Sequence, residues 1–242
     1  MDKVTRTGLQ LIPWDSTSPE HIQRLFDQRV ACGWKSEEVG AWRETAAKGL
    51  KALYWITVTN DSPRREELIT AHTSRYPKEV TPLKDTATTV MGAAVTPTNT
   101  SFIPVGHVAL ERRPEEDALL GLPPTGNFWV QILYISWAIQ RSGLGRAAMI
   151  ELERLAAGSP LKGELMVLDC IPEEFQMSDF AFESLYAPSG NPKPSVSNER
   201  WYKRQGYEQF HRQEAAYMWP NPATGKIDPV PFLFLKKKLT PS

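Results

Sequence analysis

The chain has 242 residues, no formal net charge, 41% hydrophobic residues and 23% charged residues, a composition typical of a globular protein rather than a disordered one. Basic and acidic residues are equal in number, 28 each, whereas a nucleic-acid-binding protein normally has a basic excess. No apolar run approaches the ~20 residues of a membrane-spanning helix, and the first residues do not form a signal peptide. We therefore expect a cytosolic or nuclear protein with neither nucleic acid nor membrane as a partner.

The two cysteines, Cys32 and Cys170, lie far apart in the sequence and show neither metal-binding nor redox spacing. The four histidines also lack the spacing of metal ligands. The sequence therefore predicts two reduced thiols and no metal site.

The first part of the chain predicts a strand, two helices and a second strand. The first strand covers 9–14, and Ser18 followed by Pro19 is typical of a helix start. A second helix begins near Ser36, and a β-rich strand follows at 53–58. The residues predicted to lie near one face of the first helix, which would end at about Gly33, are Ile22, Leu25, Phe26, Arg29 and Val30.

Residues 60–101 contain several Pro and Thr residues and little periodicity, so we predict an insertion that is partly ordered at best. A strand is predicted at 102–110. The central strand at 127–137 leads through a glycine turn into a helix that ends near Ala157, and a buried strand follows at 164–170.

The last part of the chain begins with a second irregular insertion at 171–197, rich in Pro, Phe and Ser. A short helix opens at 197–200, and strands are predicted at 207–210, 214–219 and 231–239. The whole pattern indicates one mixed α/β domain.

The glycine turn has the sequence Gln140-Arg141-Ser142-Gly143-Leu144-Gly145-Arg146 and stands between the central strand and its helix. A helix start has unpaired N–H groups and a partial positive charge, so a glycine turn at this place can hold a phosphate. The third glycine of the dinucleotide fingerprint and the lysine of ATP-binding loops are both missing. The other interpretation is that the glycines only allow close packing of the helix on the strand.

The turn fits the pattern Gln/Arg-x-x-Gly-x-Gly/Ala and follows a strand that ends Leu-Tyr-Ile-Ser. Downstream stands Asn198-x-x-x-Tyr202-x-x-x-Gly206-Tyr207. Together these elements resemble the GNAT superfamily of acetyl-CoA-dependent N-acetyltransferases, over most of the chain. The resemblance implies a single α/β (α+β) domain over 1–242, with a central mixed and mostly antiparallel sheet, a V-shaped opening between two strands and helices on both faces. The insertions at 60–101 and 171–197 depart from the family pattern.

The resemblance implies acetyl-CoA as the acyl donor and a primary amine of a small molecule or a protein as the acceptor, joined by direct transfer. The strand before the turn would pair with pantetheine through its main chain, the turn would bind the diphosphate, and Asn198 would contact the cofactor or else cap its helix. The implied cofactor-binding residues are Leu133, Tyr134, Ile135, Gln140, Arg141, Ser142, Gly143, Leu144, Gly145, Arg146 and Asn198.

Tyr202 matches the position of a general acid that protonates the departing thiolate; otherwise it is a half-buried helix tyrosine. Where some members of the family carry a glutamate as base, this chain has Trp129, with Gln131 beside it on the same face, and neither accepts a proton. Candidate bases are Glu111, His107 and Asp169, each of which is also explained as a paired carboxylate or a satisfied histidine. Two alternatives stay open: a non-catalytic acyl-CoA-binding or regulatory module, and an enzyme that uses longer acyl groups.

Overall fold

A seven-stranded sheet forms the centre of the protein. The computed structural model describes residues 8–221 and 224–240, without the side chains of residues 189 and 220. The strands of the sheet are, in chain order, β1 Leu9–Pro13, β2 Lys51–Val58, β3 Gly106–Glu111, β4 Asn127–Ile135, β5 Leu165–Cys170, β6 Glu208–Pro220 and β7 Ile227–Lys238.

The order of strands across the sheet is β1-β2-β3-β4-β5-β7-β6. β4 and β5 pair in parallel, and the other neighbours pair antiparallel. The sheet is therefore mixed and mostly antiparallel, which confirms the predicted architecture.

The described residues also form eight α-helical segments, some of them a single turn, and none is long and apolar enough to cross a bilayer. In chain order they are α1 Pro19–Cys32, α2 Val39–Ala47, α3 Arg65–Arg75, α4 Pro114–Leu119, α5 Leu144–Ala157, α6 Glu173–Gln176, α7 Asp179–Ala181 and α8 Asn198–Lys203.

Helices cover both faces of the sheet because alternate residues of each strand point to opposite sides. In β2, Leu53 and Trp55 pack with residues of α1 and α2, whereas Tyr54 and Ile56 belong to the core under α5. α5 presents an apolar stripe at helical spacing. The buried residues of that stripe include Leu144, Ala148, Leu152 and Ala156. The face under α1 and α2 is called the α1/α2 face below, and the other the α5 face.

The predicted apolar face of α1 was partly wrong. Phe26 and Val30 are 43% and 52% exposed, while Arg24 and Gln28 are buried. The reason is a polar partner that lies far away in sequence, because Gln28 Nε2 donates to Glu79 Oε2 at 2.7 Å. Hydrophobic periodicity carries no signal for such a contact.

The first insertion is ordered, so the prediction of partial order at best was wrong. It contains α3, a 3₁₀ turn at Pro77–Val80 and two short antiparallel ladders. The ladders join Leu83–Lys84 to Ser101–Phe102 and Thr89–Val90 to Ala93–Ala94. Buried contacts with α1 and with the end of β4 hold the insertion in place.

β6 is one long strand, although the sequence predicted two. Register shifts between Gln209 and His211 and between Gln213 and Tyr217 interrupt its pairing with β7 without ending the strand. Such bulges break the alternation from which strand ends are predicted.

β4 separates from β5 halfway along its length. The two strands pair only from Asn127 to Val130 on β4, opposite Leu165 to Leu168 on β5. Beyond that point β4 stays paired with β3, through a register shift next to Ile132, whose φ is +51°. The result is a V-shaped opening beside the second half of β4.

The close approach of β3 to β4 at Gly106 sets the position of the strand that borders this opening. A Cβ added to Gly106 would lie 2.2 Å from the carbonyl oxygen of Tyr134. We expect Gly106→Ala to lower the free energy of unfolding by about 1–3 kcal/mol, because the two backbones must move apart. Thermal unfolding of the variant checks this.

The matched control is Gly40→Ala in α2, where an added Cβ meets nothing within 4 Å. We expect this substitution to raise stability by about 0.4–1 kcal/mol, since alanine costs less backbone entropy than glycine in a helix. Equal effects of the two variants would contradict the close approach at Gly106.

Candidate active site

The turn between β4 and α5 is fixed by hydrogen bonds at Ser136. The N–H of Ser136 donates to the carbonyl of Val105 at 2.9 Å, and the Ser136 carbonyl accepts from the N–H of Ile139 at 3.0 Å. The second bond closes a 3₁₀ turn at Trp137–Ile139, from which Gln140 leads into the glycine segment. The side-chain amide of Gln140 donates back to the Ile135 carbonyl at 3.4 Å, so it serves the turn itself.

The start of α5 presents backbone donors that the protein does not use. Within the described parts of the chain, no group accepts a hydrogen bond from the N–H groups of Ser142 to Arg146, and α5 has no side-chain cap. The Ser142 hydroxyl is buried and has no partner there. Unused donors at the positive end of a helix fit an anion such as a diphosphate.

Gly143 makes this arrangement possible through its backbone conformation. Its φ is +91°, and an added Cβ would meet no protein atom within 4 Å. Gly145 lies against α8, since a Cβ there would be 3.4 Å from the Trp201 ring. The segment Ser142–Arg146, with its N–H groups and the Ser142 hydroxyl, is called the cradle below.

The two arginines of the glycine turn are exposed. Arg141 Nη2 donates to Ser195 Oγ at 2.9 Å and so links the turn to the second insertion. Arg146 lies in the first turn of α5. From both positions a guanidinium group can add positive charge near an anion bound at the start of α5.

The predicted pantetheine-binding residues lie along the opening. Leu133 and Ile135 pack into the core under α5, and the Tyr134 ring lies 5.4 Å from the His107 ring, between centroids. The main chain on the β5 side of this stretch has no strand partner in the part of the chain that the structure describes. Packed side chains and unpaired backbone groups therefore occur together along this stretch, and its role in binding pantetheine stays a prediction.

α8 packs against the start of α5 and carries Tyr202. Its N-cap is Ser197, whose hydroxyl accepts from the Arg200 N–H at 3.1 Å. The alternative prediction that Asn198 caps the helix was therefore wrong. Asn198 is the first helical residue and is exposed, and its N–H donates to Gln176 Oε1 at 2.7 Å.

Tyr202 lies on the α5 face, at the end of β5. Its ring packs edge-on against Trp201 and Tyr207, at centroid distances of 4.9 and 5.7 Å. Burial raises the pKa of the Tyr202 hydroxyl, and the nearby Cys170 and Asp169 raise it further. No group in the described residues hydrogen-bonds this hydroxyl, so it is a protonated donor without a protein acceptor.

A cavity of about 220 Å³ opens on the α1/α2 face beside the point where β4 leaves β5. Gln131 and Ile132 of β4 form one wall, and α2 forms another. The lining residues are Lys35, Glu38, Ala41, Trp42, Thr45, Lys51, Glu111, Arg113, Gln131 and Ile132. The opening thus has the cradle and Tyr202 on one face and a cavity lined by both acidic and basic groups on the other.

Solved structures with a similar fold cover nearly the whole chain. NAA60 from Arabidopsis thaliana, in complex with a bisubstrate analogue, is 12% identical, with 97% of this chain and 99% of that chain covered and a TM-score of 0.51. The chain has the GNAT fold. A putative GNAT-family acetyltransferase from Desulfovibrio desulfuricans matches at 12% identity, 96% and 99% coverage and a TM-score of 0.52.

An aminoglycoside 6'-N-acetyltransferase complexed with coenzyme A also shares the GNAT fold, at 12% identity, 96% and 98% coverage and a TM-score of 0.51. No protein-family model matches the chain, and no curated protein sequence matches it either. The likeness therefore lies in the fold, which confirms the prediction made from the glycine turn and the Tyr202 helix.

Within this GNAT fold, His107 is a structural residue. It is fully buried, and its Nδ1 lies 2.9 Å from Gln28 Oε1. Burial, together with the nearby Arg29, holds the pKa of His107 well below its ordinary value. A neutral imidazole with hydrogen-bond partners inside the core does not fit the role of a base.

The other two candidate bases belong to one charged cluster. Glu111 is 3.2 Å from Lys51 Nζ and 3.0 Å from Arg113 Nη2. Burial alone would raise the pKa of Glu111, but Lys51 and Arg113 outweigh it and hold the pKa below its ordinary value. Asp169 Oδ2 accepts from Gln131 Nε2 at 3.1 Å and therefore spans the opening from β5 to β4.

Trp129 occupies the strand position at which the sequence predicted no base. The side chain is fully buried, and its Nε1 donates to Asp117 Oδ1 at 2.8 Å. The bulge at Ile132 was not predicted, because an isoleucine at positive φ has no signature in the sequence.

Proposed function

We propose that the chain transfers an acetyl group from acetyl-CoA to a primary amine. The observation that supports this best is the cradle, where the free N–H groups of Ser142 to Arg146 and the buried Ser142 hydroxyl suit a diphosphate. Leu133 to Ile135 would offer their main chain to the pantetheine arm, which would place the thioester toward the bulge at Ile132. Coenzyme A is also the ligand of one similar structure.

The proposed chemistry is direct transfer. The nitrogen of a neutral amine bonds to the thioester carbonyl carbon, and a tetrahedral oxyanion forms that a backbone N–H of the strand can stabilise. The carbon–sulfur bond then breaks, and Tyr202 donates its proton to the departing thiolate. The attacking nitrogen releases one proton to solvent, and Tyr202 takes up one proton from solvent, so the enzyme returns to its starting state.

The amine would enter through the cavity on the α1/α2 face, which meets the opening at Gln131 and Ile132. Asp169 lies at this junction, where its carboxylate accepts from Gln131 and lies 3.5 Å from Arg113 Nη1, so it offers polar contacts to an entering amine rather than an unpaired charge. Both a small molecule and a protein amine are compatible with this entry, and the small molecule is our first choice.

The test is titration calorimetry with acetyl-CoA, followed by an assay of thiol release with a panel of amines. We expect a dissociation constant within about 1 μM to 1 mM and thiol release that depends on the amine. No binding with acetyl-CoA titrated to several times the upper end of this range would contradict the proposal.

A second function is favoured by the buried Trp129, which leaves β4 without a carboxylate at the position of the base. The chain would then bind acyl-CoA as a non-catalytic or regulatory module. Binding without thiol release for any amine would support this alternative. Comparing acetyl-CoA with longer acyl-CoA thioesters in the same assay tests the acyl chain length.

A further inference from the structure

Three buried polar side chains connect the first insertion to the end of β4. His72 of α3 and Ser136 are each 0% exposed, and Glu79 is 3% exposed. His72 Nδ1 lies 2.9 Å from Ser136 Oγ, and His72 Nε2 lies 3.3 Å from Glu79 Oε2. The imidazole therefore stands between a carboxylate and a hydroxyl.

Glu79 is surrounded by polar side chains of α1. Gln28 Nε2 donates to it at 2.7 Å, and Arg24 Nη1 lies at 4.0 Å. Burial lowers the pKa of the Arg24 guanidinium, and the charge of Glu79 opposes that shift. Nε2 of His72 faces this carboxylate at 3.3 Å without a hydrogen bond, whereas Nδ1 lies within hydrogen-bond distance of the Ser136 hydroxyl.

Ser136 is the first residue after β4. Its N–H and its carbonyl are both engaged, with Val105 and Ile139, in the turn that leads to Gln140. A third bond, from its side chain to His72, fixes its remaining polar group. The first insertion therefore contacts the residue at which the chain leaves β4 toward the cradle.

We propose that His72 is a positioning residue that acts through Ser136 and orders the cradle for the diphosphate of the acyl donor. The first insertion is then part of the donor site, although His72 lies 64 positions away from Ser136 in the sequence. This inference rests on the proposed function.

Its physical basis is that a buried polar network specifies one arrangement rather than adding much stability. Well-packed apolar side chains of similar volume would often stabilise the fold as much as the polar network does, or more. The network ends on Ser136, between β4 and the cradle. It therefore fits a role in positioning the cradle rather than in stabilising the fold.

The experiment compares Ser136→Ala, His72→Phe and the double variant by calorimetry with acetyl-CoA and by steady-state kinetics. His72→Phe keeps a ring against Tyr76, whose centroid is 5.6 Å away. We expect the dissociation constant and KM for acetyl-CoA to rise about fivefold to tenfold in each single variant, with kcat within twofold. The double variant should bind no worse than His72→Phe, because both changes break one pathway.

Two further measurements separate positioning from general destabilisation. Turnover with S-acetylpantetheine, which has no diphosphate, should be unchanged, and His72→Asn should restore affinity because its amide can accept near the place of Nδ1. Thr98→Val is the control, since it removes a 2.7 Å hydrogen bond to Asp85 within the same insertion without touching Ser136. Its affinity for acetyl-CoA should equal that of the wild type.

The outcomes are distinguishable. If the wild type binds acetyl-CoA and both single variants bind equally well, the inference is overturned and the proposed function stands. Additive losses in the double variant, or an equal loss in Thr98→Val, also overturn it. Failure of the wild type to bind ends the proposed function and this inference together. Should His72→Phe not fold, Ser136→Ala and His72→Asn decide the result.

Discussion

Replacing Gly143 by alanine is expected to raise the dissociation constant for acetyl-CoA about 10- to 100-fold, the value of one or two hydrogen bonds to a charged group. An L-residue is strained at the φ of +91° that Gly143 adopts, and relief of this strain turns the neighbouring N–H groups away from a common anion. The measurement is calorimetry with acetyl-CoA beside thermal unfolding.

The matched control is Gly121→Ala. Gly121 also has a positive φ, +65°, and an added Cβ there also meets nothing within 4 Å, but it lies in the loop after α4. Both variants should lose about 1–3 kcal/mol of stability from backbone strain, and only Gly143→Ala should lose affinity. Equal affinity of the two variants for acetyl-CoA would refute the cradle.

Tyr202→Phe is expected to lower kcat about 10²- to 10⁴-fold with little change in the affinity for acetyl-CoA. The phenylalanine keeps the ring contacts with Trp201 and Tyr207 and removes only the hydroxyl, which no described residue hydrogen-bonds. Single-turnover kinetics measure the chemical step directly. An unchanged rate would remove Tyr202 from the mechanism.

The pH dependence of the reaction rate is a second test of the Tyr202 hydroxyl. Because burial, Cys170 and Asp169 raise the pKa of Tyr202 above its ordinary value of 10.0, the acid form persists throughout the neutral and mildly alkaline range. The rate should therefore rise as the amine loses its proton, with no fall before about pH 10. A descending limb between pH 7 and 9 that disappears in Tyr202→Phe would contradict this.

Tyr207→Phe is the control for the tyrosine pair. The Tyr207 hydroxyl donates to Glu153 Oε1 at 2.9 Å and so already has a structural partner. We expect a loss of about 1–2 kcal/mol of stability and a kcat within twofold of the wild type.

The sequence predicted the parts of the site that rest on local chemistry. The strand, glycine turn and helix from Asn127 to Ala157 lie where the turn residues and periodicity indicated. The sequence did not predict the buried polar face of α1 or the order of residues 60–101. Those two features stabilise each other through contacts such as Gln28 with Glu79, and a pairing across 51 positions leaves no periodic pattern.

For the candidate site as well, the sequence indicated the local features and did not indicate the contacts between distant parts of the chain. The cradle and Tyr202 could be proposed from the sequence because glycine spacing and the spacing of Asn198 to Tyr202 are visible in a single chain, and their roles stay predictions. The cavity wall at Ile132, the bridge from Gln131 to Asp169 and the contact of His72 with Ser136 were not predicted. Each depends on how strands and an insertion meet in space, which composition and periodicity do not encode.

The early parting of β4 from β5 also limits the shape of what the site can admit. Unsatisfied backbone groups usually occur at the rim of a sheet, where a whole second protein can add a strand. Here they face inward, with β5, β7 and β6 standing beyond the gap. We therefore expect this gap to accept a slender, unbranched chain in the place of the missing strand, rather than the edge of a folded partner. We expect the cross-section of a ligand to limit its entry before its charge does.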